Sequence, residues 1–298
     1  MESSREKSIV DFFKAKTILV TGSTGFLAKM FVEKLLRVQA DVERVFLLIR
    51  AADAASAMQR LEDEVRTGLI PEKRLSMGET LRSGSNSCYL DIEAEIDLVE
   101  KKKVELQADH NLTPIAQKLA MKELGMQRFF GWPNTYVFTK AMGEMVLGHS
   151  RGNLPLVIVR PSIITSILRD PLPGWIEGIR TTDIFMMAYA DRKLQSFPGD
   201  PQMTVDLIPG DMVVNAMMAT TVAHSKQQSE FIYHVGSSTR NPITYDSLLQ
   251  CWFDDANLEK LRAMMGKEEM FEMDSKHIEW NSYLHGIHIP GILKYECK

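Results

Sequence analysis

A strand, a glycine turn, a helix and a second strand fit within about 35 residues near the start of the chain, the size of a right-handed βαβ unit. Thr17–Val20 (TILV) is a β-branched apolar run suited to a fully buried strand. It ends at Thr21-Gly22-Ser23-Thr24-Gly25, after which Phe26, Leu27, Met30, Phe31, Leu35 and Leu36 recur at helical spacing. A second apolar run, Arg44–Arg50 (RVFLLIR), closes the unit. Gly22 permits a sharp exit from the strand, and Gly25 lets backbone N–H groups at the helix start approach a phosphate. Ala28 takes the small-residue position needed where helix and strand pack closely. The Gly22-x-x-Gly25-x-x-Ala28 spacing therefore points to dinucleotide binding. The alternative is a plain βα turn that uses glycine for its backbone freedom. A nucleoside-triphosphate loop is disfavoured, because no Gly-Lys-[Ser/Thr] follows.

The second apolar run ends in Arg50 rather than a carboxylate. A carboxylate there would accept hydrogen bonds from a ribose 2′-OH, whereas a guanidinium suits a 2′-phosphate. NADPH is the expected cofactor. Asp53 lies just beyond and tempers that preference, and a solvated strand-end charge is the other reading of Arg50.

Composition excludes several function classes. A chain of 298 residues with 45% hydrophobic and 25% charged residues can bury a real core, and a net charge of −4 gives no general affinity for nucleic acid. Cys88, Cys251 and Cys297 are scattered and odd in number, which fits a reduced compartment. No apolar run is long enough for a transmembrane segment, and the first residues lack the apolar core of a secretory signal. The expected location is cytoplasmic, with peripheral contact at the endoplasmic reticulum membrane left open. His285 and His288 (HGIH) have ligand-like spacing but no accompanying cysteine or carboxylate pattern, so they read as core or surface histidines and no metal is expected. Glu100–Lys103 (EKKK) reads as a solvated helix face, and Asn111-Leu112-Thr113 as an unused acceptor sequence.

Tyr136 and Lys140 stand four residues apart on what reads as a helix, with Asn134 as its N-cap and Gly148 as its stop. Such a pair is common by chance. Behind a dinucleotide-type turn it resembles the Tyr-x-x-x-Lys of short-chain dehydrogenases/reductases. Downstream, Leu156–Arg160 is another buried strand and runs into Pro161-Ser162. TILVTGSTGFLAKMFVEKLLR, YVFTKAMGEMV, VIVRPSII, DPLPGWIEG and VDLIPGDMVVNAMMA together resemble the plant-type alcohol-forming fatty acyl-CoA reductases of the extended short-chain dehydrogenase/reductase superfamily.

The resemblance implies an oxidoreductase of lipid metabolism that takes a long-chain fatty acyl-CoA to a primary fatty alcohol, as in wax biosynthesis. The thioester is first reduced to an aldehyde with loss of coenzyme A, and the aldehyde is then reduced in turn. Carried over by motif, Tyr136 is the acid that protonates the carbonyl oxygen. Lys140 stabilises the phenolate and holds ribose hydroxyls. Gly22, Ser23, Thr24, Gly25, Phe26 and Leu27 hold the cofactor pyrophosphate. Sugar-nucleotide epimerisation, another extended-family chemistry, is disfavoured by the reductase-like C-terminal sequence. Trp175 has two readings, as a wall of the acyl channel or as ordinary packing, the second favoured.

The expected fold is α/β, a Rossmann-like doubly wound parallel sheet with a small, mostly helical C-terminal remnant. Residues 1–245 form the reductase domain, internally shortened around 69–72, and residues 246–298 the remnant of the family's C-terminal domain. Between Arg50 and Tyr136 no further β-branched run can serve as a central strand, although a doubly wound sheet needs one beside the first; on the order of a hundred residues are missing by comparison with such a fold. The strand that should carry the family's Ser/Thr partner of the pair is among them, and Ser76, Ser83, Ser85 and Ser87 sit in a polar stretch that does not replace it. The reading that rescues a smaller sheet has strand 156–160 pairing with the first strand. The alternative to an active enzyme is a non-catalytic truncated form that pairs with a full-length reductase or misfolds.

Overall fold

A computed structural model describes residues 8–65, 92–109, 113–128, 135–190, 193, 203–244 and 274–296. The βαβ unit forms as expected. Strand β1 (Thr17–Val20) pairs in parallel with β2 (Arg44–Leu47), with Thr17 opposite Arg44 and Val20 opposite Leu47. A short helix α1 (Ile9–Phe13) precedes β1, and helix α2 (Phe26–Val38) crosses between the strands. Ile18, Val20, Val45 and Leu47 pack with Ala28, Phe31, Val32 and Leu36 of α2 in one apolar cluster. The strand ends three residues before Arg50, which lies in the following loop rather than at the strand end that the sequence predicts.

The other face of this sheet is not covered in the same way. Leu19, Phe46 and Leu48 are 53%, 37% and 53% exposed, although a parallel sheet is ordinarily covered on both faces. Among the described strands, β1 has β2 as its one partner. Strand β3 (Leu156–Pro161) pairs with β7 (Glu230–Val235) instead. The two run in the same direction, since the Leu156 N–H donates to Ser229 and the Ser162 N–H to Val235. The smaller sheet with β3 beside β1 is therefore not what forms: β3 finds its hydrogen bonds on β7.

The chain divides into two compact units. The first comprises Met1–Glu79, Val159–Lys226 and Ile232–Lys298. Besides the βαβ unit it holds β4 (Ile163–Thr165) parallel to β6 (Leu207–Pro209), and β5 (Thr204–Val205) antiparallel to β8 (Ile243–Thr244). Helix α7 (Thr181–Ala190) and helix α8 (Gly210–His224) follow β4 and β6. Residues of α8 are buried all round, as its near-continuous apolar sequence requires. The start of α8 approaches α2 so closely that a side chain at Gly210 would meet Met30 and Phe26.

The second unit, Thr80–Ile158 and Gln227–Phe231, holds helices α4 (Ile92–Ala108), α5 (Pro114–Arg128) and α6 (Thr135–Ser150). From Arg50 to Tyr136 the described residues are helix and loop, with α3 (Ala54–Arg60) running into a single π-turn, Leu61–Val65. On α4, Lys103 pairs with Glu100 and Lys102 with Glu105 at 2.7 Å, the solvated face that the EKKK run predicts. Helix α6 runs two residues beyond Gly148, and the left-handed glycine that follows is Gly152, with φ of 55°. The predicted N-cap Asn134, the three cysteines, Asn111, the four serines at 76–87 and both proposed junctions lie outside the described residues.

The two faces of the β1–β2 pair should respond oppositely to substitution. Leu36 on α2 is buried in the cluster on the inner face, so Leu36→Ala is expected to lower unfolding free energy by about 2–5 kcal/mol. Leu19→Thr should change it by no more than about 0.5 kcal/mol while reducing self-association. Urea midpoints and light scattering of the two variants check this, and a large loss of stability at Leu19 would show that its face is covered after all.

Candidate functional site

Gly22 adopts φ of +62°, the conformation the turn needs, and the Gly25 N–H closes on the Gly22 carbonyl at 2.8 Å. A Cβ at Gly25 would lie 3.1 Å from that same carbonyl. Gly25 is the N-cap of α2 and offers no side-chain acceptor, so the first N–H groups of the helix are left for an outside acceptor. Together with the helix dipole this favours an anion.

The other candidates divide by what their side chains do. Ser23 is buried and donates its hydroxyl to the Leu48 carbonyl at 3.0 Å, tying the turn to the chain beyond β2. Its contribution to a ligand is therefore limited to backbone. Thr24 bonds the Glu64 carboxylate. That carboxylate is held below its ordinary range chiefly by Arg60, whose Nε and Nη2 approach it at 2.6 and 2.9 Å. A charged carboxylate on this side steers any phosphate toward the Phe26 side of the turn. Phe26 is buried, Leu27 is half-buried, and Arg50 is exposed with its carbonyl accepting from Arg60. Asp53 is the N-cap of α3, in a capping box with Ser56 whose hydrogen bonds also lower its pKa. With its carboxylate engaged there, Arg50 is the charged side chain left at this end of β2. These features fit a phosphate-bearing dinucleotide.

Tyr136 and Lys140 lie on the first turns of α6 in the second compact unit, whereas the glycine turn belongs to the first. The Lys140 ammonium stands 5.6 Å from the centre of the Tyr136 ring, a cation–π placement over the ring face. Tyr136 is 68% exposed, and its carbonyl accepts the Thr139 hydroxyl at 2.9 Å. The structure thus brings the two members of the pair together.

A buried polar relay in the first unit was not signalled by any spacing in the sequence. The Ser166 N–H donates to Nδ1 of His288 at 3.2 Å, so Nδ1 is the acceptor and Nε2 carries the proton directed at Asp183 Oδ1, 3.0 Å away. The Ser166 hydroxyl lies 2.9 Å from Nδ1. Tyr283 donates to the Ser166 carbonyl at 2.8 Å and stands 2.6 Å from the Thr165 hydroxyl. Serine, histidine and aspartate in a row invite comparison with an acyl-transfer triad. Two facts oppose that role. All three side chains are buried, between 0% and 1% exposed, and the imidazole faces the serine with the opposite nitrogen. Nor is Tyr283 a rival to Tyr136, because burial pushes its phenol far above the ordinary range and its proton is held by the Ser166 carbonyl. The relay is a latch, and it confirms His288 as a core histidine.

The latch holds the loop between β4 and α7. Asp211, at the start of α8, accepts the Leu168 and Arg169 N–H groups at 3.0 Å, and burial raises its carboxyl. Gly174, with φ of +81°, meets Gly291 backbone to backbone, and a Cβ on either would overlap the other strand of chain. Held in this way, the loop stacks Trp175 on Phe26 at 5.2 Å and 19° and places Glu177 on the buried Lys29 ammonium at 2.5 Å. Trp175 is 4% exposed, which is the packing reading rather than an acyl-channel wall. Among the described residues no group of histidine, cysteine and acidic side chains could hold a metal, and no helix is long and apolar enough to cross a membrane.

The NAD-binding family described as "Male sterility protein" matches residues 20–127 and again 85–217. The Arabidopsis thaliana fatty acyl-CoA reductase 7 is 41% identical over 82% of this chain and 68% of its own length. The alcohol-forming fatty acyl-CoA reductase of Simmondsia chinensis is 34% identical over 81% of this chain and 70% of its own. Fatty acyl-CoA reductase 4 of Arabidopsis thaliana aligns with 98% of this chain and 100% of itself at 30% identity. That alignment has 495 positions against 298 residues here, so roughly 200 of them have no counterpart in this chain. Among solved structures, the PhqB reductase domain from Penicillium fellutanum overlays with a TM-score of 0.42 at 17% identity over 75% of this chain, too distant to inform the site.

His288→Ala strands the buried Asp183 carboxylate and the Ser166 N–H, each at about 1–3 kcal/mol. The thermal midpoint should fall by several degrees, with faster proteolysis within Ser275–Tyr295. An unchanged midpoint and digest would show that the latch bears no strain.

Proposed function

The chain belongs to the fatty acyl-CoA reductase family, and from that premise we propose that it is an NADPH-dependent, alcohol-forming reductase of long-chain fatty acyl-CoA, impaired by missing internal segments. By family it is an oxidoreductase. The observation that carries the cofactor half of the proposal is the uncapped start of α2 behind a left-handed Gly22. Gly22 to Leu27 supply backbone donors for the pyrophosphate, and exposed Arg50 reads the 2′-phosphate that distinguishes NADPH. When bound, the dinucleotide supplies hydride to the carbonyl carbon. Tyr136 delivers the proton to the carbonyl oxygen, and Lys140 stabilises the phenolate that remains and engages ribose hydroxyls. Residues 1–245 form the reductase domain, shortened around 69–72, and 246–298 a remnant of the C-terminal domain. Contact with a membrane, where a long-chain substrate resides, is peripheral.

Two observations support the impairment. Close to 200 positions of a full-length relative have no counterpart here. On β1, the described residues give one parallel neighbour where a doubly wound sheet would pair a second, and they leave Leu19 half exposed on a face such a sheet would cover with helix. The same uncovered face favours a second reading, in which the chain pairs with a full-length reductase that supplies the missing cover.

Purified protein with NADPH and a long-chain acyl-CoA should oxidise the cofactor far below the ordinary range of about 1–1,000 per second, and Tyr136→Phe should remove what rate there is. Turnover within that range would sink the impaired reading. A residual rate indifferent to Tyr136→Phe would remove the pair from the mechanism.

A further inference from the structure

Arg180 is the last residue before α7 and belongs to the same compact unit as the glycine turn. Its backbone is fixed by the latch: its N–H donates to Asp183 Oδ2 at 2.9 Å, and Asp183 Oδ1 is held by His288. Gly178, two residues before it, adopts φ of +81°. The guanidinium then lies 4.7 Å from the centre of the Phe26 ring, with Nη2 donating to the Glu177 carbonyl at 2.9 Å. Phe26 is the first residue of α2, so the ring under this cation belongs to the helix whose first N–H groups lack a side-chain cap. Neighbouring cations are engaged elsewhere. Lys29 is buried on Glu177, and Arg60 is bound to Glu64. Arg180 has no carboxylate partner among the described residues, and its remaining N–H donors form a fork suited to two phosphate oxygens. Glu64 guards the opposite, Thr24 side of the turn.

We propose that Arg180 is a phosphate-binding residue that completes the anion site at the start of α2, clamping the diphosphate of the bound ligand from the side of the 167–180 loop. The inference rests on the reading that this turn takes a dinucleotide. Diphosphate is common to NADPH and coenzyme A, and the same fork suits either. His288 and Asp183 act through Arg180 as positioning residues.

Isothermal titration of NADPH and, separately, of free coenzyme A distinguishes the two sources. The full chain is compared with Arg180→Gln and Arg180→Lys. Loss of a charge-assisted pair should weaken the diphosphate ligand by about tenfold to a hundredfold in Arg180→Gln, less in Arg180→Lys, with a shallower salt dependence. Weakening confined to NADPH assigns the cofactor's diphosphate, and weakening confined to coenzyme A assigns the substrate's. A thermal melt checks the fold of Arg180→Gln. Should that variant unfold, Arg180→Met, which keeps the stem against Phe26, takes its place. Unchanged affinity for both ligands overturns the inference alone. Failure of the unsubstituted chain to bind NADPH overturns the dinucleotide reading and this inference with it.

Discussion

The hydrogen-bond path from Ser166 through His288 to Asp183 ties together parts of the chain that are far apart in sequence. Its members are sealed from water, where an unpaired donor or carboxylate is expensive, so the three can be buried only together. That condition joins the C-terminal helical stretch, Trp280–Tyr295, to the loop between β4 and α7. The loop in turn bears the three side chains that meet the first turns of α2: Trp175 on Phe26, Glu177 on Lys29, and Arg180 over Phe26. A segment expected as a remnant of another domain thus packs directly on the loop between β4 and α7. The surroundings of the first turn of α2 depend on residues more than a hundred positions away in sequence.

Against this well-determined region stands the β1–β2 pair. Its inner face is closed by α2, with Val32 fully buried and Val20 and Leu36 nearly so. Its outer face presents Leu19, Phe46 and Leu48, residues of the kind a central parallel strand needs on both sides. The sequence of these strands is written for a larger sheet than the described residues provide. Retaining the α2 side preserves the turn that would hold a dinucleotide.

What could be read from sequence is what is local. The βαβ unit, the helical character of 54–60, 92–108 and 114–128, and the strand from Leu156 were all legible, because hydrophobic period and glycine placement act within a few residues. The apolar run continues through Leu48 and Ile49 and so points to a strand end at Arg50, yet pairing stops at Leu47, opposite Val20, where β1 itself ends. Gly148 reads as a helix stop, yet glycine is tolerated inside a helix and the left-handed turn falls at Gly152. The latch was invisible for a different reason. Histidine at 288, aspartate at 183 and serine at 166 are each ordinary in their own neighbourhoods, and only tertiary packing makes them partners. Arg180 was likewise one cation among 35 Lys and Arg residues until the loop placed it over Phe26.

The separation between Asp183 and His288, 105 residues, also sets an order of events during synthesis. At translation rates of about 5–20 residues per second, His288 leaves the ribosome some 5–20 seconds after Asp183. For that interval α2, β1 and β2 are already made, while Trp175, Glu177 and Arg180 ride on a loop whose latch does not yet exist. The glycine turn is therefore finished early and the loop beside it is fastened late, so a nascent chain passes through a period in which Arg180 is already made but its backbone is not yet held.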